Sequence, residues 1–261
     1  MASPLFSRIE TCSTQAPWIV FGNSLMTDLS IWDEQVAALS GRYNILRYDQ
    51  RGHGRSPVGE PGFSFEELGS DLLGLLDEAG IATCCYVGLS MGVPTGLAAY
   101  KLQPDRFSAM ILVDGQAAST ATSEQFWSER IASAQGQGMQ AIALQTVGRW
   151  LRPGRHGSAR AEALQAMIAA TPLQGFINCA ALLKSYDQSE AFDSIAVPLA
   201  LIAGAEDGVL PQTMQMLALR KAGALYQSIA DAGHVPNFER PEAFNTVLDH
   251  MLADFFGEVV P

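Results

Sequence analysis

The chain has 261 residues, of which 48% are hydrophobic and 16% are charged, and its formal net charge is −11. A chain of this length and composition can bury the core of one α/β domain with an insertion. The negative charge repels phosphate backbones and anionic lipid surfaces, so we expect neither nucleic acid nor a membrane as a partner. Small neutral molecules fit this charge, and acidic ones fit it where a local arginine binds them.

The four cysteines show no metal-ligand spacing, and we interpret them as reduced, mostly buried thiols. Cys84 and Cys85 are neighbours in a predicted strand, so their side chains should point to opposite faces. The N-terminus lacks a basic start followed by an apolar block, and no apolar run reaches the length of a membrane helix. We therefore expect a cytoplasmic protein.

Short apolar runs that read as strands alternate with helical patterns along much of the chain. Several of these runs are apolar at nearly every position, which is typical of strands covered on both faces of a parallel sheet. Helical spacing predicts helices over 65–80 and 241–256. The alternation predicts a doubly wound, mostly parallel α/β sheet. The predicted strands are 18–22, 44–49, 84–89, 109–114, 198–204 and 225–231.

The alternation stops between residues 119 and 190, where four helical patterns follow one another. They are SEQFWSERIASAQ, GMQAIALQTVGRWL, SARAEALQAMIAA and LQGFINCAALLKSY. We interpret 119–190 as a helical cap at the carboxyl-terminal edge of the sheet. The core domain is then formed by 1–118 and 191–261.

The stretch YVGLSMGVPTG sets Ser90 between two glycines, after a predicted strand and before a helix. A turn this sharp forces the serine into a strained backbone conformation, and Gly88 and Gly92 avoid collisions with the neighbouring chain. The turn lifts the hydroxyl above the sheet and places the Met91 amide at a helix N-terminus, where an N–H stabilises negative charge. Ser90 is therefore the predicted nucleophile, with an ordinary turn serine as the alternative.

A serine hydroxyl is a poor nucleophile until a base takes its proton and a carboxylate orients that base. The chain offers four histidines. We interpret His250, in the last helix, and His156, in a polar stretch, as surface residues. His53 lies in a glycine-flanked turn and is interpreted as structural. His234 follows the last predicted strand and is the predicted base.

Two carboxylates, Asp207 and Asp114, compete to orient this base, and Glu206, which is adjacent to Asp207, is expected to point elsewhere. Asp207 falls just beyond the strand 198–204, and Asp114 ends the strand 109–114. The order Ser90, Asp207, His234 matches the order of nucleophile, acid and base in α/β hydrolases, which favours Asp207. Asp114 stays open as the alternative.

Together these residues resemble the α/β-hydrolase superfamily over nearly the whole chain. The serine turn and RYDQRGHGRS are typical of the superfamily, while NSLMTDLSIW, GMQAIA, TPLQGFINCAALL and ERPEAF resemble 3-oxoadipate enol-lactonases more particularly. The resemblance implies hydrolysis of a five-membered enol-lactone to 3-oxoadipate through an acyl-serine, without a metal or cofactor. It also implies an oxyanion hole made by the backbone amides of Leu25 and Met91.

Because that substrate carries a carboxylate, arginines in the cap are candidates for binding it. The candidates lie next to tryptophans: Trp127, Arg130, Arg149 and Trp150. The alternative is that both arginines are solvated while the rings pack the cap on the core.

Other activities fit the same residues. A carboxylesterase, another lactonase or a perhydrolase is the first alternative, and a non-hydrolytic binding protein or a lyase is the second. In each hydrolytic case the expected partner is a small-molecule ester or lactone. The oligomeric state stays open, with a homo-oligomer as one alternative.

Overall fold

The predicted apolar runs form the central sheet of the protein. The computed structural model describes residues 5–257 and 259. Within them, seven strands pair in the order β1-β3-β2-β4-β5-β6-β7, with β1 antiparallel to β3 and the other pairs parallel. The strands are β1 (Ser7–Glu10), β2 (Trp18–Gly22), β3 (Asn44–Tyr48), β4 (Cys84–Leu89), β5 (Phe107–Val113), β6 (Leu199–Gly204) and β7 (Leu225–Ile229).

Helices cover both faces of this sheet, which confirms the predicted doubly wound α/β fold. Helices α1 and α10 pack with the cap on one face, and α2, α3, α7 and α8 pack on the other. The helices in the described residues are α1 (Asp33–Leu39), α2 (Phe65–Glu78), α3 (Gly92–Leu102), α4 (Ser123–Trp150), α5 (Ala159–Ala169), α6 (Leu173–Lys184), α7 (Ser189–Ser194), α8 (Leu210–Leu219), α9 (Pro236–Glu239) and α10 (Pro241–Phe256).

Strand β4 shows why this sheet is apolar throughout. Cys85 and Val87 point into the core on one face, while Cys84 and Tyr86 point into the core on the other. The prediction that the two neighbouring thiols face opposite sides is therefore confirmed. Of the free cysteines, only Cys12 is exposed.

Five of the described elements were not predicted, namely β1, α1, α7, α8 and α9, and several boundaries differ. Strand β1 lies at an edge and is half exposed, and α1 is only seven residues long, so neither produces a clear apolar pattern. Strand β5 begins at Phe107, two residues before the predicted start, and ends before Asp114. Asp114 lies in the loop after the strand.

The region 119–190 contains the predicted succession of helices, inserted between β5 and β6. Its first two patterns form α4, which is interrupted at Gly138, where φ is 78° and ψ is 172°. A φ in this range favours glycine, so Gly138 separates two helical segments. The boundaries of the cap as a domain stay a prediction.

The length and hydropathy of the helices in the described residues bear on whether they could span a membrane. No single helix there has the length and hydropathy to cross a membrane. Helices α5 and α6 satisfy both criteria only when they are taken together, and the pair is bent by 93°.

His53 is buried in the turn that follows β3. Its side chain is fully buried; Nδ1 lies 3.1 Å from the Arg51 carbonyl oxygen, and no hydrogen-bond partner for Nε2 is found among the described residues. Burial lowers the pKa of His53 from 6.5 to about 4. This burial agrees with the structural role that the sequence suggested.

The depressed pKa of His53 predicts acid sensitivity of the fold. Between pH 6.5 and about pH 4 the unfolded chain binds a proton that the folded protein does not. The contribution of His53 to the free energy of unfolding is complete above pH 6.5 and falls as the pH drops, by about 2 kcal/mol between about pH 7.5 and about pH 5. Urea unfolding of wild type and His53→Gln should show this loss only in the wild type. The exposed His250→Gln serves as control, and parallel pH dependences of wild type and His53→Gln would contradict the prediction.

Candidate active site

Ser90 occupies the turn between β4 and α3. Its φ is 54°, which is strained for a residue other than glycine. The Ser90 amide donates to the carbonyl oxygen of Val113 at 2.8 Å, and its carbonyl accepts from the Val93 amide at 2.9 Å. These bonds hold the serine in the strained conformation that the sequence predicted.

The glycines around Ser90 allow a close approach of backbone segments. A Cβ atom on Gly88 would lie 2.7 Å from the Gly92 carbonyl oxygen, and one on Gly92 would lie 2.7 Å from the Gly22 carbonyl oxygen. Both distances are too short for real side chains, which confirms the predicted reason for the two glycines. Val93 fits beside the turn because its Cγ2 faces Gly115, where a Cβ would lie only 2.5 Å away.

Three side chains that are widely separated in sequence meet above this turn. His234 Nε2 lies 2.9 Å from Ser90 Oγ, and His234 Nδ1 lies 2.7 Å from Asp207 Oδ2. Of the two competing carboxylates, Asp207 is thus the one that bonds to the imidazole ring. Its neighbour Glu206 turns away, as expected, and forms an ion pair with Arg152. The chain of bonds has the arrangement that a base-activated hydroxyl requires.

Two backbone amides of residues beside Ser90 have no hydrogen-bond acceptor in the part of the chain that the structure describes. Leu25 and Met91 both line the cavity described below, and no acceptor for either N–H is found among the described residues. Asn23 holds the loop that carries Leu25, because its Nδ2 donates to the Tyr48 carbonyl at 2.7 Å and its Oδ1 accepts from Trp32 Nε1 at 3.1 Å. The two N–H groups are therefore available to a ligand.

This fold agrees with the comparison of the sequence with protein families. A model of the alpha/beta hydrolase family matches residues 19–247. The chain belongs to this family.

The relatives of this α/β hydrolase include enol-lactonases. The 3-oxoadipate enol-lactonase 2 of Acinetobacter baylyi is 31% identical over 243 residues, which are 92% of this chain and 90% of the relative. The crystal structure of the enol-lactonase from Burkholderia xenovorans LB400 has a TM-score of 0.89 at 34% identity, with 95% of this chain and 96% of that chain covered. A Stutzerimonas stutzeri protein provisionally named the carbamate hydrolase RutD is 28% identical over 94% of both chains. The predicted resemblance to enol-lactonases is confirmed.

A cavity of about 370 Å³ separates Ser90 from the cap of this α/β hydrolase. It is lined by all four side chains that the sequence singled out for substrate binding, Trp127, Arg130, Arg149 and Trp150. Sequence analysis missed several other lining residues because their periodicity does not distinguish them from cap core: Gln116, Thr120, Phe126, Leu183 and Tyr186. Within the described residues, no group of three or more His, Cys, Asp or Glu could hold a metal ion.

The two arginines in the cavity differ in exposure. Arg130 is only 7% exposed, and its Nη2 donates to Thr146 Oγ1 at 2.5 Å. Arg149 is exposed, and its guanidinium lies 4.6 Å from the ring centroid of Phe126. Neither arginine forms an ion pair with a carboxylate of the described residues, and burial lowers the pKa of Arg130 to about 10. The alternative of a solvated side chain therefore fails for Arg130.

The end of α4 is attached to the loop that carries His234. The His234 amide donates to the Trp150 carbonyl at 2.9 Å, and the Trp150 ring lies 4.9 Å from the imidazole ring. Glu239 is 2% exposed and accepts from the amides of Gly233 at 2.7 Å and Arg152 at 2.9 Å. One buried carboxylate thus joins the cap to the histidine loop.

Replacing Glu239 with glutamine should loosen this attachment. The glutamine side chain keeps one acceptor oxygen, but its NH₂ group then faces one of the two backbone N–H groups, and two donors cannot bond to each other. We expect Glu239→Gln to lower the free energy of unfolding by about 1–3 kcal/mol and the kcat for p-nitrophenyl acetate about tenfold. Urea unfolding and ester turnover measure the two effects. Glu242→Gln, an exposed position on α10, is the matched control, and equal behaviour of both variants would contradict the role of Glu239.

Proposed function

We propose that this protein is a serine hydrolase that opens an enol-lactone bearing a carboxylate, of the class of 3-oxoadipate enol-lactone. The observation that carries the proposal is the continuous set of hydrogen bonds from Ser90 through His234 to Asp207, facing a cavity that contains the buried cation of Arg130. The similarity to named enol-lactonases supports the same substrate class.

The first step is attack by Ser90 on the ring carbonyl. His234 Nε2 takes the proton from Ser90 Oγ, while Asp207 accepts the Nδ1–H and stabilises the imidazolium that forms. The face of the imidazole ring lies beside Trp150, which limits the access of water to the ring from that side.

The developing oxyanion is bound by the N–H groups of Leu25 and Met91. One such donor lowers the barrier by about 3 kcal/mol in comparable hydrolases. Collapse of the tetrahedral intermediate breaks the ring C–O bond and expels an enolate, which His234 protonates. Water then attacks the acyl-serine with His234 as base, which frees the product and restores Ser90.

Arg130 provides the charge that the substrate carboxylate requires. A buried guanidinium without a carboxylate partner is unfavourable, because its charge has lost solvation without gaining an ion pair. An anionic ligand in the cavity supplies the missing partner, and guanidinium–carboxylate hydrogen bonds are among the stronger ones in proteins. Phe126 and Trp127 offer apolar surface to the lactone ring.

Replacing the nucleophile tests the catalytic part of the proposal. Ser90→Ala should abolish turnover of both the enol-lactone and p-nitrophenyl acetate, together with covalent labelling by a fluorophosphonate, because no other hydroxyl of the described residues bonds to His234. Ser123→Ala removes another serine of the cavity and should keep labelling and turnover. A wild type that neither reacts with the fluorophosphonate nor turns over an ester would favour the binding-protein alternative.

Removing the buried charge tests the substrate class. Arg130→Gln should lower kcat/KM for the enol-lactone about 10- to 100-fold, since a charge-assisted hydrogen bond contributes about 1.5–3 kcal/mol. Turnover of the uncharged p-nitrophenyl acetate should change little. Arg160→Gln, on cap helix α5 and paired with Glu34 outside the cavity, is the matched control. Equal losses for both substrates would make Arg130 structural and leave a carboxylesterase, another lactonase, a perhydrolase or a carbamate hydrolase as the better description.

A further inference from the structure

Asp114 is a buried carboxylate that the steps above do not use. It is 1% exposed, and it lines the same cavity as Ser90 and Asp207. Asp114 follows β5 and Asp207 comes shortly after β6, and these two strands are parallel neighbours in which Val113 pairs with Ile202. The sheet thus brings both carboxylates to one edge.

The neighbours of Asp114 are a backbone amide and a second carboxylate. The Gly204 N–H lies 3.0 Å from each of its two oxygens, and the Gly204 carbonyl oxygen accepts from the Asp207 amide at 3.1 Å, so one residue holds the two carboxyl-bearing segments side by side. Its backbone has a φ of 40° and is fixed by donation from its own amide to the Ile202 carbonyl at 2.9 Å. No cationic side chain of the described residues forms an ion pair with it.

Two buried carboxylates at the same edge of one cavity repel each other when both are ionised. A shared proton converts their repulsion into a hydrogen bond. Asp207 is favoured as the anion, because it accepts the Nδ1–H of His234. Asp114 is the more deeply buried of the two, and burial together with the negative charge of Asp207 raises the pKa of Asp114 well above its usual range. The proton therefore belongs on Asp114.

We propose that Asp114 is a positioning residue that, as a neutral carboxylic acid, donates a hydrogen bond to Asp207 and so fixes the carboxylate that orients His234. The inference rests on the proposed function, because it assigns Asp114 a part in activating Ser90. Without this donor, the Asp207 carboxylate loses its support on the side away from His234, and the imidazole loses alignment with Ser90.

Two substitutions separate this role from simple support of the strands. Asp114→Asn keeps an N–H donor for Asp207 and an oxygen acceptor for the Gly204 amide, while Asp114→Ala removes both. With active sites counted by fluorophosphonate titration, we expect Asp114→Asn to stay within about threefold of the wild-type kcat. Asp114→Ala should lose about 10- to 100-fold in kcat with KM nearly unchanged.

The protonation state has a spectroscopic signature. The infrared difference spectrum of wild type minus Asp114→Asn, measured at neutral pH, should contain the C=O stretch of a protonated carboxylic acid. Absence of that band overturns the proposal. An equal loss of kcat in the Asn and Ala variants also overturns it, and so does a wild-type kcat in both variants. Asp207→Asn should lose far more activity than Asp114→Asn, and the reverse order would make Asp114 the acid of the site. A wild type without labelling or turnover would instead overturn the proposed function itself.

Discussion

The imidazole ring of His234 carries the interaction on which the rest of the site depends. Its two nitrogens bond to Ser90 and Asp207, which lie 144 and 27 positions away in the sequence. No local structure brings such residues together. They meet because all three lie in loops that follow the carboxyl ends of parallel strands, at one edge of one sheet. The apolar strands that build the core therefore also determine the geometry of the site.

At this edge of the sheet, two residues with strained backbone conformations are held in place by hydrogen bonds to the neighbouring strand. Ser90 and Asp114 both have positive φ values, which cost about 1–3 kcal/mol each for residues other than glycine. The Ser90 amide bonds to the last residue of β5, and the Asp114 amide bonds to Ile202 in β6. Each strained residue is thus fixed by its neighbouring strand, so the hydroxyl and the second carboxylate occupy defined positions before any ligand arrives.

The sequence was sufficient for the fold class, the serine turn, and the pairing of Ser90 with His234, and it favoured Asp207 as the third residue. Periodicity identifies fully apolar strands, and the glycines around Ser90 mark a turn with one physical explanation. The sequence could not distinguish Asp114 from Asp207 with certainty, because both follow strands that become neighbours only in the sheet. Glu239 opens the ERPEAF match, but its role in joining two loops could not be predicted, since a single glutamate carries no periodicity and its two backbone partners lie in different segments. The sequence also could not show that Val93 fits because Gly115 has no side chain, since the two residues are neighbours only in the folded protein.

The cap ends in a carbonyl group that accepts the amide of His234, and Glu239 ties the next turn of chain to the same loop. Residues 119–190 therefore contribute hydrogen bonds to the loop of His234 in addition to lining the cavity. In a chimaera that exchanges this insertion, the incoming segment must therefore also hold the loop of His234 in place. Its last helical turn must place a carbonyl acceptor at the position of Trp150, or the exchange would shift His234 relative to Ser90 and Asp207.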